Sequence, residues 1–218
     1  MELTKMTTRV IANVFAAILL TTTLSGTAAA QDMSVFGIPL GQPLVLPQCK
    51  ESEPPSSANG YRYEPRPKPR QACFISLAEL NIHDRVAIDF PENEKPSVTI
   101  GGSWFGIEAT VIEGNVEGIK FGTYGIKNAA SVQEALTTKY GKPTDLTTSK
   151  VQNGFGASFD VFTAFWMLPG PTDPKLTIVF WSSCSDKLDE GCVTIDTKKG
   201  KAWRKQKLDE KSKDRRPL

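Results

Sequence analysis

Proline sets the first constraint on this chain. The stretch ESEPPSSANGYRYEPRPKPRQ, Glu51 to Gln71, carries five prolines, three serines and one glycine. Each proline fixes φ and removes a backbone donor, so neither a helix nor an inner strand forms there. Residues 50–71 are read as a surface loop of extended character. Within it, Tyr61, Arg62, Tyr63, Arg66 and Arg70 offer contact area and charge, and are the candidate recognition strip. Cys49 and Cys73 bracket the loop. A bridge between them would pin the excursion to the body, worth roughly 3 kcal/mol in the chain-entropy account of disulfides.

The first thirty residues say why a bridge is expected. Lys5 and Arg9 supply positive charge, and Val10 to Leu20 is an apolar core interrupted by Asn13. A polar stretch then leads to Ala28-Ala29-Ala30, small residues at the positions a signal peptidase reads. Residues 1–30 are therefore expected to be a secretory signal, cut after Ala30, with Met6 an equally good start. The apolar run is too short to span a bilayer, which takes about 20 residues, and no later segment is apolar enough. An exported chain meets an oxidising compartment. Its four cysteines, Cys49, Cys73, Cys184 and Cys192, allow three pairings. Short loops favour Cys49 with Cys73 and Cys184 with Cys192. A zinc site is disfavoured, because there is no C-x-x-C and the one histidine is His83.

Charge divides the rest. Residues 198–218 hold ten Lys/Arg against three Asp/Glu, whereas residues 31–197 hold fourteen against twenty. An acidic body carries a basic tail. The tail has Trp203 and Leu208 as its large apolar groups, too little to offset its ordering entropy, so disorder is expected over 205–218. Two readings of it stand: a bland tail that solubilises the chain or folds back on its own acidic body, or attachment to an anionic surface. Nucleic acid is not an expected partner, since no aromatics alternate with the basic residues.

The body, 31–204, reads as one α+β domain. Val35 to Leu40 can pair as a short strand, and Gly41 to Pro47 can make one helical turn with Pro43 in its first position. A short helix is possible at Leu77–Leu80. IEATVIEGNVEGIKF, Ile107 to Phe121, reads as a hairpin turning at Gly114-Asn115, with Gly118 marking a bulge. In SVQEALTTKYGKPT, Ser131 and Glu134 make a capping-box pattern. Val132, Ala135, Leu136 and Tyr140 share a face, and Gly141 and Pro143 stop the helix. SFDVFTAFWML, KLTIVFWSS and GCVTIDT read as strands. The order predicts an antiparallel β-sheet with one main helix, about 131–140, packed on one face and stapled by disulfides. Trp104, Trp166 and Trp181 are expected mostly in the core, with an exposed aromatic cluster as the alternative.

GIPLG (Gly37–Gly41), the helix ending LTTKYGKPT and the antiparallel strands after it resemble small exported proteins of Gram-negative bacteria. These are the helix-plus-sheet modules of the β-lactamase-inhibitor and outer-membrane-assembly lipoprotein type, and the likeness covers Ser131–Thr197. It implies a non-catalytic binding or assembly role. The chain lacks the lipidated cysteine of the assembly lipoproteins, so no binding residues carry over.

Catalytic patterns are sparse. His83 and Asp84 are adjacent, and neighbours on a strand face opposite sides. G-x-S-x-G, H-E-x-x-H and the P-loop are missing from the sequence. Asp160, flanked by aromatics, is the candidate partly buried acid, with a place on the solvent face as the equal alternative. Asp186, Asp189 and Glu190 are oxygen ligands of the kind calcium takes, but their spacing is not that of an EF-hand, and a solvated loop is the preferred reading. No metal and no cofactor is expected. Two functions therefore stand: a periplasmic or secreted non-catalytic binding protein with an envelope protein as partner, or a small carboxylate-dependent hydrolase acting on envelope glycans.

Overall fold

The structure, a computed structural model, describes residues 33–49, 69–77, 84–94, 96, 106–170, 175–184 and 187–213. All of these lie in the unit spanning 32–218. The expected signal segment, the possible helix at Leu77–Leu80 beyond Leu77 itself, and most of the 50–71 loop fall outside the described residues.

A two-stranded ladder opens the chain, β1 (Ser34–Val35) against β2 (Ile38–Pro39). Phe36 and Gly37, both with positive φ, make the turn between them. The main sheet has eight antiparallel strands. In chain order these are β3 (Cys73–Ser76), β4 (Arg85–Asp89), β5 (Ile107–Ile112), β6 (Asn115–Thr123), β7 (Asp145–Gln152), β8 (Ser158–Leu168), β9 (Leu176–Trp181) and β10 (Gly191–Thr197). Their spatial order is β3-β4-β5-β6-β10-β9-β8-β7. Two four-strand meanders thus meet where β6 pairs with β10. Helix α1 (Ala129–Tyr140) makes the crossing from β6 to the far edge at β7, and α2 (Lys198–Lys213) follows β10 directly. The fold is α+β, as the sequence order predicts.

Period-two alternation sorts the side chains onto two faces. One face carries Ala164, Trp166, Ile178, Phe180, Val193, Ile195, Ile119, Phe121, Ala109 and Ile107, all buried and facing one another across the ladder. Val132, Leu136 and Tyr140 of α1 and Val35, Ile38 and Leu40 of the first ladder complete this core. The opposite face is more polar, with Glu108, Thr110, Lys120, Thr194 and Asp196 beside Phe165, Val179 and Trp181. Arg204 of α2 reaches Asp196 on this second face, and Lys201 lies over the ring of Phe165.

Several local expectations shift. The β5–β6 turn is Glu113-Gly114, both at positive φ, one residue earlier than Gly114-Asn115. Two consecutive left-handed residues match the twist of the flanking strands, and Gly114 takes the second position at no steric cost. The register slips between Thr110 and Val111, leaving Glu117 as the extra residue beside Gly118, so the bulge lies where the glycine marks it. Helix α1 begins at Ala129, and Asn128 before it makes no side-chain cap. Ser131 is therefore inside the first turn and exposed, and the capping box does not form. Gly41 to Pro47 is not a helical turn but an extended run. Gly41 N–H donates to Val116 O at 2.8 Å, Leu44 N–H to Gly114 O at 3.0 Å, and Pro43 bridges to Asn115.

The basic tail is the largest correction. It is not disordered from Lys205 but helical to Lys213, and α2 is the longer helix of the two. An apolar stripe does not hold it. Gly200 is its one buried residue and lies against the Glu117 backbone, where a β-carbon would collide with the carbonyl. Thr197 caps the helix by accepting from Gly200 N–H at 3.1 Å, and its hydroxyl donates to the buried Glu117 carboxylate. Salt bridges Lys205–Asp209 and Lys207–Glu210 follow along the exposed side.

Both expected disulfides are present, Cys49–Cys73 and Cys184–Cys192, with Cα separations of 5.0 and 6.1 Å. The first ties the run after Pro47 to β3, where Cys49 N–H donates to Phe74 O and Phe74 N–H to Pro47 O. The second closes the β9–β10 connection. With 24 residues of separation against 8, the first bridge constrains the unfolded chain more. Replacing Cys49 and Cys73 by alanine is expected to cost about 3 kcal/mol, and replacing Cys184 and Cys192 slightly less. Urea midpoints of the two double variants check this, and the reverse order would contradict it.

Candidate functional site

The β7–β8 hairpin runs on past the end of β9. β9 pairs with β8 from Thr163 to Leu168, whereas β7 pairs with it from Ser158 to Phe165. The outer half of the hairpin is thus a two-stranded arm. Among the eight residues of β7, none is buried.

The tip is built rather than loose. Asn153 N–H donates to Ala157 O at 3.0 Å and Gly156 N–H donates to Asn153 O at 2.9 Å. The Asn153 side-chain oxygen accepts from Phe155 N–H at 3.0 Å and Ala157 N–H at 2.9 Å. Gly156, at φ 82°, supplies the left-handed residue that returns the chain to β8. This bonded turn holds Phe155 with 97 % of its surface exposed. Below it Lys150 and Asp160 pair across the strands at 2.7 Å, so the arm carries no net charge. The result is a neutral, preorganised finger ending in one aromatic ring.

A second apolar area lies on the polar face of the sheet. Phe165 faces Val179, and Trp181 faces Thr163 and Cys192. All three large side chains are half-buried, and Met167 beside them is exposed. Of the three tryptophans in question, Trp166 is core, Trp181 lies on this face, and Trp104 falls outside the described residues.

The residues singled out by sequence distribute differently. Tyr61, Arg62, Tyr63, Arg66 and His83 lie outside the described residues. Arg70 is described and exposed. Asp84 is half-buried and accepts from the Trp203 indole N–H at 3.3 Å, which makes it a support for α2. Asp160 is not a partly buried acid: it sits on the exposed arm, paired with Lys150. The deeply buried carboxylates, Glu117 and Asp196, are engaged by Thr197 and Arg204 under α2. Asp186 is outside the described residues, and Glu190 pairs with Lys187 at 2.7 Å. The hydrogen bond that Lys187 donates to Glu190, then the Glu190 charge, raises the Lys187 pKa. Among the described residues no group of three or more His, Cys, Asp or Glu is placed to hold a metal ion. Near the β5–β6 turn, the hydrogen bond from Lys199, then its charge, holds the Glu113 carboxyl below its usual range.

Phe155 and its arm were not among the sequence candidates. The signal was present, an Asn153-Gly154 pair between two extended stretches, which is a strong hairpin mark. It was obscured because DLTTSKVQ has no apolar alternation and does not read as a strand. Among the described residues no helix is long and apolar enough to cross a membrane. No protein-family model matches the chain, and comparison with curated proteins and with solved structures finds no match in either.

Proposed function

We propose that the chain is an exported, non-catalytic binding protein of the bacterial cell envelope, acting in the periplasm or outside the cell by docking on a protein partner. One observation carries this reading: Phe155 is 97 % exposed at the end of a hydrogen-bonded turn. Binding hot spots are aromatic anchors that enter a pocket on the partner, and a rigid anchor loses little entropy on docking. The neutral arm suits an apolar pocket better than a charged one. Two disulfides fit an oxidising compartment and support the export signal read at 1–30. The basic helix α2 adds a means of contact with an anionic surface.

The test is a photo-cross-linking residue placed at position 155, with the chain expressed in its envelope setting. A discrete adduct with one envelope protein is expected, and it should disappear when unlabelled chain competes. Unlabelled Phe155→Ala should compete at least tenfold less well, since a central aromatic anchor is worth about 2 kcal/mol or more. Equal competition by the alanine variant would remove the finger from the interface, and no adduct would remove the reading.

A further inference from the structure

We propose that β7 is a pairing edge for a second copy of this chain, in antiparallel register about a two-fold axis at Thr148. The two edges of the sheet are treated differently. β3 is four residues long, bridged by Gln48 at Phe74 and locked by the Cys49–Cys73 bond. β7 is eight residues long, in unbroken register with β8, and ends the sheet with no described strand beyond it. It contains no proline, glycine or bulge. Its one lysine, the usual guard of an open edge, is engaged by Asp160 across the hairpin. An edge so long and regular is a template for another strand.

The hydrogen-bond ladder says which groups are on offer. Asn153 N–H bonds to Ala157 O, while Ser182 N–H bonds to Phe162 O. In an antiparallel ladder the bonded residues alternate. Odd-numbered residues of β8 therefore turn to β7, and even-numbered ones to β9. On β7 the backbone N–H and C=O of Leu146, Thr148, Lys150 and Gln152 point away from the sheet. A two-fold axis at Thr148 sets Thr148 against its own copy and Leu146 against Lys150, each facing pair exchanging two backbone hydrogen bonds. The same register sets Thr147 against Ser149 and Asp145 against Val151. No like charges oppose each other, and the lysine stem covers Leu146, which is otherwise 49 % exposed. The chain's formal charge of +2 adds little repulsion between copies. A single strand seam is smaller than the roughly 1,600 Å² of a standard interface, so the dimer is expected to be concentration-dependent.

Sedimentation of the purified chain with both disulfides closed tests this. The mass should double as concentration rises through the micromolar range. Thr148→Pro removes an outward N–H that no described strand uses, and the position before it already has extended backbone. It should raise the half-dimer concentration at least tenfold and leave the melting curve in place. Thr148→Cys should form a self-linked dimer on mild oxidation, whereas Gln152→Cys, far from the axis, should not. A chain that stays monomeric at every concentration would overturn the proposal. So would a dimer indifferent to Thr148→Pro but lost with Phe155→Ala, or cross-linking at position 152 in place of 148. The Phe155 adduct is read separately, so either proposal can fail without the other.

Discussion

Truncating Trp166 to alanine is expected to cost about 4 kcal/mol, a large share of the roughly 5–15 kcal/mol that stabilises a domain. Trp166 is 1 % exposed, faces Ile178 on β9, and lies on the face that α1 covers. Its indole N–H donates to the Gly141 carbonyl at 2.8 Å, one residue past the end of α1. The side chain therefore does two jobs. Its rings fill the space between helix and sheet, and its N–H fixes where the helix stops. Gly141, at φ 83°, has its own N–H bonded to Thr137 O, so the helix end is held from both sides. Trp166→Phe keeps much of the apolar contact and loses the hydrogen bond, and should cost about 2 kcal/mol. The two variants, compared by urea unfolding, separate the terms. A loss below 1 kcal/mol for alanine would mean the tryptophan is not the central packing residue of this face.

The elements that pack against this face are those the sequence announces. β8, β9 and β10 alternate aromatic or β-branched residues with others because their two faces meet different surroundings, a full core and a half-covered polar face. α1 shows its apolar stripe for the same reason, and Gly141 its stop. The segments that went unread draw their order from elsewhere. β7 leans on one neighbour through backbone bonds, which depend little on side-chain type, so a run such as DLTTSKVQ can be a strand without looking like one. α2 has no apolar stripe to detect. Its order comes from a glycine that allows close approach to Glu117, a threonine cap and a pair of buried charges, none of which has a period along the chain. The candidate site was least legible of all. Phe155 has meaning through its distance from the core, and distance from the core is a property of the whole sheet.

The second large effect follows from those buried charges. Arg204→Ala is expected to destabilise the protein by about 3 kcal/mol, because it leaves Asp196 charged and unpaired beneath α2. Asp196 is 4 % exposed, and Arg204 grips it with two bonds, Nε to Oδ2 at 2.9 Å and Nη2 to Oδ1 at 2.8 Å. Gly118 lies directly under the carboxylate, and any side chain there would occupy its place. The partners are unequal. The Arg204 side chain is 24 % exposed and can turn to water, while Asp196 at 6 % cannot. Asp196→Ala should therefore cost less than Arg204→Ala, about 1 kcal/mol, and the double variant should be more stable than Arg204→Ala alone. Such a cycle measures the coupling of the pair without assigning it to either member. The loss should also be local. With Arg204 gone, Lys199, Gly200, Lys201 and Trp203 still hold the first turns of α2, and beyond them Lys207 reaches Asp84 at 4.0 Å, so trypsin should cut at Lys205 and Lys207 faster while the sheet still melts cooperatively. Unchanged protection of α2, or a double variant weaker than Arg204→Ala, would place the anchor of this helix at Gly200 and Thr197 instead.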